Sequence, residues 1–289
     1  MEILSLLKAP KPTLSFEFFP PKDDAGADDL LKTVDDLGKL DPAFVSVTYG
    51  AGGTTRGRTR SLVQRIMKEA SVPTVPHLTC IGHSEDEMSE ILDHYSKDQV
   101  STILALRGDP PRDEPNYDRS KDDFKFAADL VKFIKNHHHP IEIGVAGFPE
   151  GHPATQNRLK EMEYFKAKVD EGADYICTQL FFDNHDFLDY RDRCALEGID
   201  LPIVAGIMPI TTISGMKRMA ELAEGSRFPA TLLKALNTAG NDAKAIRQAG
   251  VQYAIHQCQE LIDEGVSGLH LYTLNKSNAT LTIANSLEF

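Results

Sequence analysis

A chain of 289 residues with 41% hydrophobic and 26% charged side chains has ample material for a core and no sign of wholesale disorder. Its net charge of -12 argues against nucleic acid or an anionic membrane as partner. No apolar run approaches the roughly 20 residues that span a bilayer, and the start, Met-Glu-Ile-Leu-Ser-Leu-Leu-Lys, has neither the basic opening nor the cleavage site of a signal peptide, so a cytoplasmic protein is expected.

In chain order, apolar stretches at about residues 14–19, 44–49, 74–80, 101–107, 141–147, 175–182, 203–209 and 269–274 predict eight strands. Between them lie segments of helical period. Leu30, Leu31, Val34, Leu37 and Leu40 make one apolar stripe; Leu159, Met162, Phe165 and Val169 make another, stopped by Gly172. Val251, Ala254, Ile255, Cys258, Leu261 and Ile262 make a third, closed by Gly265, and the long segment 211–268 is expected to hold two or three helices. Each strand ends in residues poor at packing but good at chemistry. Strands alternating with helices, with polar groups gathered at one end, predict a single-domain (β/α)8 TIM barrel with its site on the C-terminal face.

The remaining features fit around this frame. Arg56, Arg58, Arg60 and Arg65 read as a solvated helix face. Residues 109–123, rich in Pro, Asp and Lys, form a long loop after the fourth strand, where long loops are often functional. His137, His138 and His139 fall on the opposite, structural face and read as a solvated loop rather than a metal site. Cys80, Cys177, Cys194 and Cys258 have no C-x-x-C or metal spacing and read as buried free thiols.

Several residues carry candidate chemistry. In Leu14-Ser15-Phe16-Glu17-Phe18-Phe19-Pro20-Pro21, alternation puts Ser15 and Glu17 on the face opposite Leu14, Phe16 and Phe18. A carboxylate flanked by aromatics is partly desolvated, a setting for a general acid; a Glu neutralised by a buried Arg or Lys is an equal reading. Asp109, after Arg107-Gly108, would sit at the mouth beside a ligand, although a turn or cap Asp before proline is the commoner pattern. Thr48-Tyr49-Gly50-Ala51-Gly52-Gly53-Thr54-Thr55 lets a ligand approach the backbone and offers the Tyr49 ring for stacking. It is not G-x-G-x-x-G and gives no dinucleotide fingerprint; alone it reads as a tight turn. His77, His152, Gln179 and Asp183 also stand at strand ends.

As a set, these segments resemble methylenetetrahydrofolate reductase, and the resemblance runs in order through essentially the whole chain. It is carried by Ser15-Phe16-Glu17-Phe18-Phe19-Pro20-Pro21-Lys22, Val47-Thr48-Tyr49-Gly50-Ala51-Gly52-Gly53, His77-Leu78-Thr79-Cys80 and Leu104-Ala105-Leu106-Arg107-Gly108-Asp109. Ala146-Gly147-Phe148-Pro149-Glu150-Gly151-His152-Pro153, Gly172-Ala173-Asp174, Thr178-Gln179-Leu180-Phe181-Phe182-Asp183, Gly206-Ile207-Met208-Pro209 and Tyr272-Thr273-Leu274-Asn275 continue it.

The resemblance implies a barrel that binds FAD, takes hydride from NADH or NADPH and passes it to methylenetetrahydrofolate. It implies that Glu17 is the general acid that opens the five-membered ring, and that Asp109 lies near the flavin pyrimidine edge and the pterin. Thr48 and Gln179 would meet nicotinamide and folate in turn. Tyr49, Ala51, His77, Arg107, Gly108, Ala127, Phe148, His152, Glu161 and Lys168 would hold FAD, and Met219 and Lys276 would face folate. The sequence departs from the family pattern at Lys276, where an Arg would make a bidentate clamp. It also departs at Met219, where an aromatic covers the site, at Phe148 for a frequent Tyr and at Glu161 for a frequent Asp. The form implied is the short one without a regulatory domain, small-molecule partners only, and a homo-oligomer. Two alternatives are a flavin-free pterin barrel that transfers a methyl group to a corrinoid protein, and an idle folate-binding homologue. Intact Glu17, Asp109 and Gln179 argue against the second.

Overall fold

A computed structural model describes residues 3–50, 56–111, 114, 116–223 and 225–289. Ala51 and the following Gly52-Gly53-Thr54-Thr55, read above as part of a cofactor loop, lie outside the described residues, as do Arg112, Asp113 and Pro115 of the loop after the fourth strand.

Eight parallel strands close on one another in chain order. They are β1 (Thr13–Phe18), β2 (Phe44–Val47), β3 (Thr74–Thr79), β4 (Thr102–Leu106), β5 (Glu142–Gly147), β6 (Tyr175–Thr178), β7 (Ile203–Ile207) and β8 (Gly268–Tyr272). The first helix, α1 (Ile3–Leu7), precedes β1. The connecting helices are α2 (Asp24–Gly38), α3 (Arg56–Arg65), α4 (Glu85–Lys97), α5 (Ala127–Lys135), α6 (Arg158–Asp170) and α7 (Asn184–Leu196). Three helices fill the long segment before β8: α8 (Ile213–Leu222), α9 (Ala230–Thr238) and α10 (Ala243–Asp263). The last, α11 (Ser277–Ala284), follows it. The (β/α)8 barrel expected from the strand–helix alternation is therefore present.

Local chemistry sets the element ends. Ser84 opens α4 with a capping box to Glu87, and the side chains of Asp23, Asn157, Asp183 and Asp242 accept from first-turn amides of α2, α6, α7 and α10. Asp183 is thus accounted for as a helix cap. Gly172 and Gly265, the expected stops, take φ of 119° and 75°.

The strand period divides the core. Outward residues such as Phe16, Phe18, Val45, Ile103, Val145, Ile176 and Leu271 pack beneath the helices. Inward residues Phe44, Val75, Leu104, Tyr175, Cys177 and Val204 fill the lower lumen, which Ile3 and Leu7 of α1 plug from below. Room for Tyr175 comes from Gly144: a Cβ there would lie 2.3 Å from its Cζ. All four cysteines are buried and free, and burial pushes the thiols of Cys80, Cys194 and Cys258 up to about 12, 11 and 12.

Two surface readings change. Two of the α3 arginines are tied closely to neighbouring acids rather than simply solvated: Arg60 to Asp98 at 2.8 Å, and Arg65 to Asp28 and Glu69 at 2.8 and 2.9 Å, while Arg58 stays exposed. In the histidine run, His138 is exposed but the His137 side chain is only 5% exposed, because it packs against α4 instead of facing water. Among the described residues no helix is long and apolar enough to cross a membrane.

Candidate active site

The register of β1 places Glu17 beside Ser46 of β2 and Tyr272 of β8, on the inward face above the apolar plug. Its carboxylate is 19% exposed, with Oε2 3.4 Å from His77 Nε2 and 3.7 Å from His270 Nε2. No lysine or arginine pairs with it among the described residues. The counter-groups are imidazoles, so the salt-bridged reading of Glu17 is set aside.

His270 is the residue that sequence reasoning passed over. It is fully buried, with Nδ1 2.7 Å from Ser15 Oγ and Nε2 3.1 Å from Ser46 Oγ, and its ring stacks on Phe44 at 5.5 Å. Ser15 Oγ donates to the Leu269 carbonyl at 3.2 Å. That leaves Ser15 to accept from Nδ1–H and Ser46 to donate to Nε2, an assignment made from the partners. The signal was available: Leu269-His270-Leu271-Tyr272 alternates, and its phase puts His270 and Tyr272 inward.

The roof over Glu17 is pinned across the β1–β8 seam. Thr273 Oγ1 donates to the Glu17 carbonyl at 2.7 Å, and Asn275 both donates to Phe19 O at 2.8 Å and accepts from Phe19 N at 3.0 Å. Leu274 and Asn275 hold left-handed backbones, φ 51° and 58°, uncommon for a residue like Leu and retained here by those bonds. The turn delivers Lys276, exposed and without an ion pair among the described residues, to the start of α11.

Around the rim, Thr48 is half-buried and Tyr49 meets His83 through its hydroxyl at 3.3 Å and edge-on at 6.1 Å. Burial raises the Tyr49 phenol to about 12, so it stays a neutral donor and stacking surface. Gly108 takes φ 83°, and a Cβ there would come within 2.7 Å of Thr79 Cβ, so only glycine lets Arg107 and Asp109 splay at the end of β4. Asp109 is exposed and makes no hydrogen bond within the described residues, unlike a turn-capping Asp.

Arg107, His152 and Lys168 come together. Burial lowers the His152 pKa first, and the charges of Arg107 and Lys168 add to this, with Asp109 opposing. The Lys168 ammonium donates to Ala146 O at 2.7 Å, and burial brings it down to about 8. Phe148 stands edge-on to His152 at 4.7 Å. Ala127 begins α5, half-buried behind the exposed Phe126. Glu161 pairs with Arg158 at 3.0 Å at the start of α6. Gln179 follows β6, half-buried, its side chain accepting from the Leu180 amide at 2.9 Å. Met219 lies in an apolar cluster with Leu180, Phe182, Met208 and Ile210. Glu17, His77, His270 and Tyr272 thus share the inner floor. Tyr49, Arg107, Phe148, His152 and Lys168 belong to the rim, and Met219 is packed away from solvent.

The buried imidazoles predict an acid-sensitive fold. Desolvation lowers the pKa of His77, against Glu17 and aided by His270; of His83, aided by Arg56 against Glu87; and of His152 as above. A depressed folded pKa means that the unfolded chain binds the extra proton near pH 6.5. Stability is then full above that value and falls below it, by up to about 1.4 kcal/mol per pH unit for each histidine. Glu150 and Glu161, raised by burial, act in the opposite sense nearer pH 4.5. The melting temperature is expected to drop between pH 7.5 and 5.5; a flat profile by circular dichroism would contradict the buried-neutral assignment.

A closed parallel barrel with a carboxylate–imidazole floor and a basic, aromatic rim at the strands' C-terminal ends is the architecture of the (β/α)8 enzymes. Residues 2–288 match the family model for methylenetetrahydrofolate reductase, and the chain belongs to that family. It is 36% identical to the 5,10-methylenetetrahydrofolate reductase of Escherichia coli, over 95% of this chain and 90% of that one. It is 35% identical to methylenetetrahydrofolate reductase (NADH) 1 of Arabidopsis thaliana, over 99% of this chain and 50% of that one. The chain spans about half the length of the plant and yeast relatives it matches. Among solved structures, an uncharacterised Clostridium thermocellum protein that binds two copies of 5-methyl-5,6,7,8-tetrahydrofolic acid shares the fold. Its TM-score is 0.66 at 14% identity, covering 97% of this chain and 96% of that one.

Proposed function

We propose that this chain reduces 5,10-methylenetetrahydrofolate to 5-methyltetrahydrofolate, taking hydride from NADH or NADPH by way of non-covalently bound FAD at the C-terminal face of its one barrel domain. The observation that carries this reading is Glu17, an acid on the barrel's inner floor whose counter-groups are the imidazoles of His77 and His270 rather than a fixed cation.

The rim fits the cofactor. Arg107 and Lys168 stand near enough to His152 that, after burial, both charges disfavour a proton on its imidazole, a crowding of basic groups at the rim. A diphosphate is the kind of anion that would relieve this crowding. Phe148 offers a ring beside His152 and Tyr49 offers another after β2, against His83, while the exposed Asp109 reaches into solvent where a heterocycle's polar edge would lie. Arg107, Lys168, His152, Tyr49, Phe148, His77, Gly108, Ala127 and Glu161 would hold FAD. When bound, the flavin supplies the centre that accepts hydride from the nicotinamide and delivers it to folate.

The chain's own part is acid catalysis and orientation. Glu17 delivers a proton to the nitrogen that leaves when the folate ring opens, which exposes an electrophilic carbon. Thr48 and Gln179, just past the ends of β2 and β6, would orient nicotinamide and folate in turn. Lys276 would offer folate a point charge in place of a bidentate clamp.

The purified protein is expected to be yellow, to release FAD on denaturation, and to lose that colour on anaerobic addition of NADH or NADPH. A colourless protein that takes up no added FAD would overturn the reductase reading and favour the flavin-free methyl-transferring barrel.

A further inference from the structure

At the opposite end of the barrel from Glu17, the last turns of α4 meet the connection between α5 and β5. There Asp93 Oδ1 is ringed by three imidazole nitrogens: His138 Nε2 at 3.3 Å, His137 Nε2 at 3.5 Å and His139 Nε2 at 3.7 Å. The three rings lie against one another, with centroids 4.0 to 5.5 Å apart. Ser89, one turn earlier on α4, places its hydroxyl 3.5 Å from His137 Nε2.

None of the three imidazoles is hydrogen-bonded to the carboxylate. Asp93 Oδ1 is shut away from solvent with no hydrogen-bond partner among the described residues, although the side chain as a whole is 41% exposed. An acceptor enclosed by nitrogens that do not donate to it is poorly satisfied as a set of ion pairs. The same spacing suits ligands sharing a cation. With metal–nitrogen and metal–oxygen distances of roughly 2.0–2.2 Å, neighbouring donors of a tetrahedral site stand about 3.3–3.6 Å apart. The donor atoms of Asp93, His137 and His138 all lie within 4.8 Å of one another.

We propose that Asp93, His137 and His138 form a binding site for a first-row divalent cation of the zinc type, with solvent completing its coordination. Imidazole with a single carboxylate selects such ions over magnesium or calcium, which take oxygen sets. The exposed His138 leaves the cation a way in. The bound ion would clip α4 to the α5–β5 connection at the base of the barrel, far along the chain from either partner.

The full-length protein, stripped with a chelator and dialysed into metal-free buffer, is titrated calorimetrically with Zn2+ alone. The expected result is one equivalent bound with a Kd of micromolar or below, and a higher melting temperature at saturation. Co2+ in its place should give the intense visible bands of a four-coordinate site. Asp93→Asn keeps the shape of a half-buried side chain and His138→Ala alters an exposed one, and each should weaken Zn2+ at least tenfold with an unchanged far-ultraviolet circular dichroism spectrum. Absence of saturable binding in the parent would overturn the proposal. So would binding that both variants retain at parental affinity, since the ion would then sit elsewhere. The experiment is independent of flavin and folate, so its failure leaves the reductase reading untouched.

Discussion

Glu17→Gln is expected to abolish most folate reduction while leaving the flavin fully reducible by NADH or NADPH. The two half-reactions make different demands. Hydride transfer from a nicotinamide needs no proton delivered to a leaving nitrogen; opening the folate ring does. Losing a general acid typically costs about 10²–10⁴ in rate, and the amide keeps the shape of the carboxylate while removing its acidity. Glutamine also preserves the packing around His77 and His270, both within 3.7 Å of the carboxylate, so the fold should be intact. Stopped-flow absorbance separates the halves: reduction near the parental rate, reoxidation by methylenetetrahydrofolate slowed by at least two orders of magnitude. Parental reoxidation would make Glu17 structural and remove the proposed mechanism. Equal slowing of both halves would instead place Glu17 in cofactor positioning.

Most of the barrel was legible because its signals are local. Each strand is a short apolar run, and each neighbouring helix shows its own stripe, so the eight units and their order follow from period alone. The three helices between β7 and β8 stayed uncertain in number since α8 and α9 are short and lean on a separate apolar cluster rather than the main core. The site divides in the same way. Glu17, Arg107 and Gln179 stand at strand ends, where a polar residue interrupts an apolar run and shows itself. His270 sits within a strand and looks like an ordinary interior residue; its importance comes from Ser15 and Ser46, more than 220 positions away. His137 looks solvated in the sequence for the same reason, because the α4 surface that covers it is distant in sequence. Non-local pairings are invisible to spacing until the closed sheet brings the strands together.

His270 gives the second large effect, because it supports Glu17 without being placed to react. The ring satisfies Ser46 and Ser15 in a region where all three are at most 1% exposed. His270→Phe keeps an aromatic against Phe44 but leaves the Ser46 hydroxyl without its imidazole, and a buried polar group so orphaned costs about 1–3 kcal/mol. Ser15 still donates to Leu269 O and loses less. Adding the strain of a different ring shape, a destabilisation on the order of 2–4 kcal/mol is expected, which corresponds to a melting temperature lower by roughly 3–8 °C for a chain of this size. Removing the orphan should restore part of it: Ser46→Ala with His270→Phe is predicted to be more stable than His270→Phe alone, since apolar replacement of both partners is close to neutral. A positioning role adds a second readout, because a displaced Glu17 slows folate-dependent reoxidation more than reduction by NADH or NADPH. Stability loss with both half-reactions unaffected would make His270 purely a packing residue. A double variant no more stable than the single would show that the Ser46 contact contributes nothing.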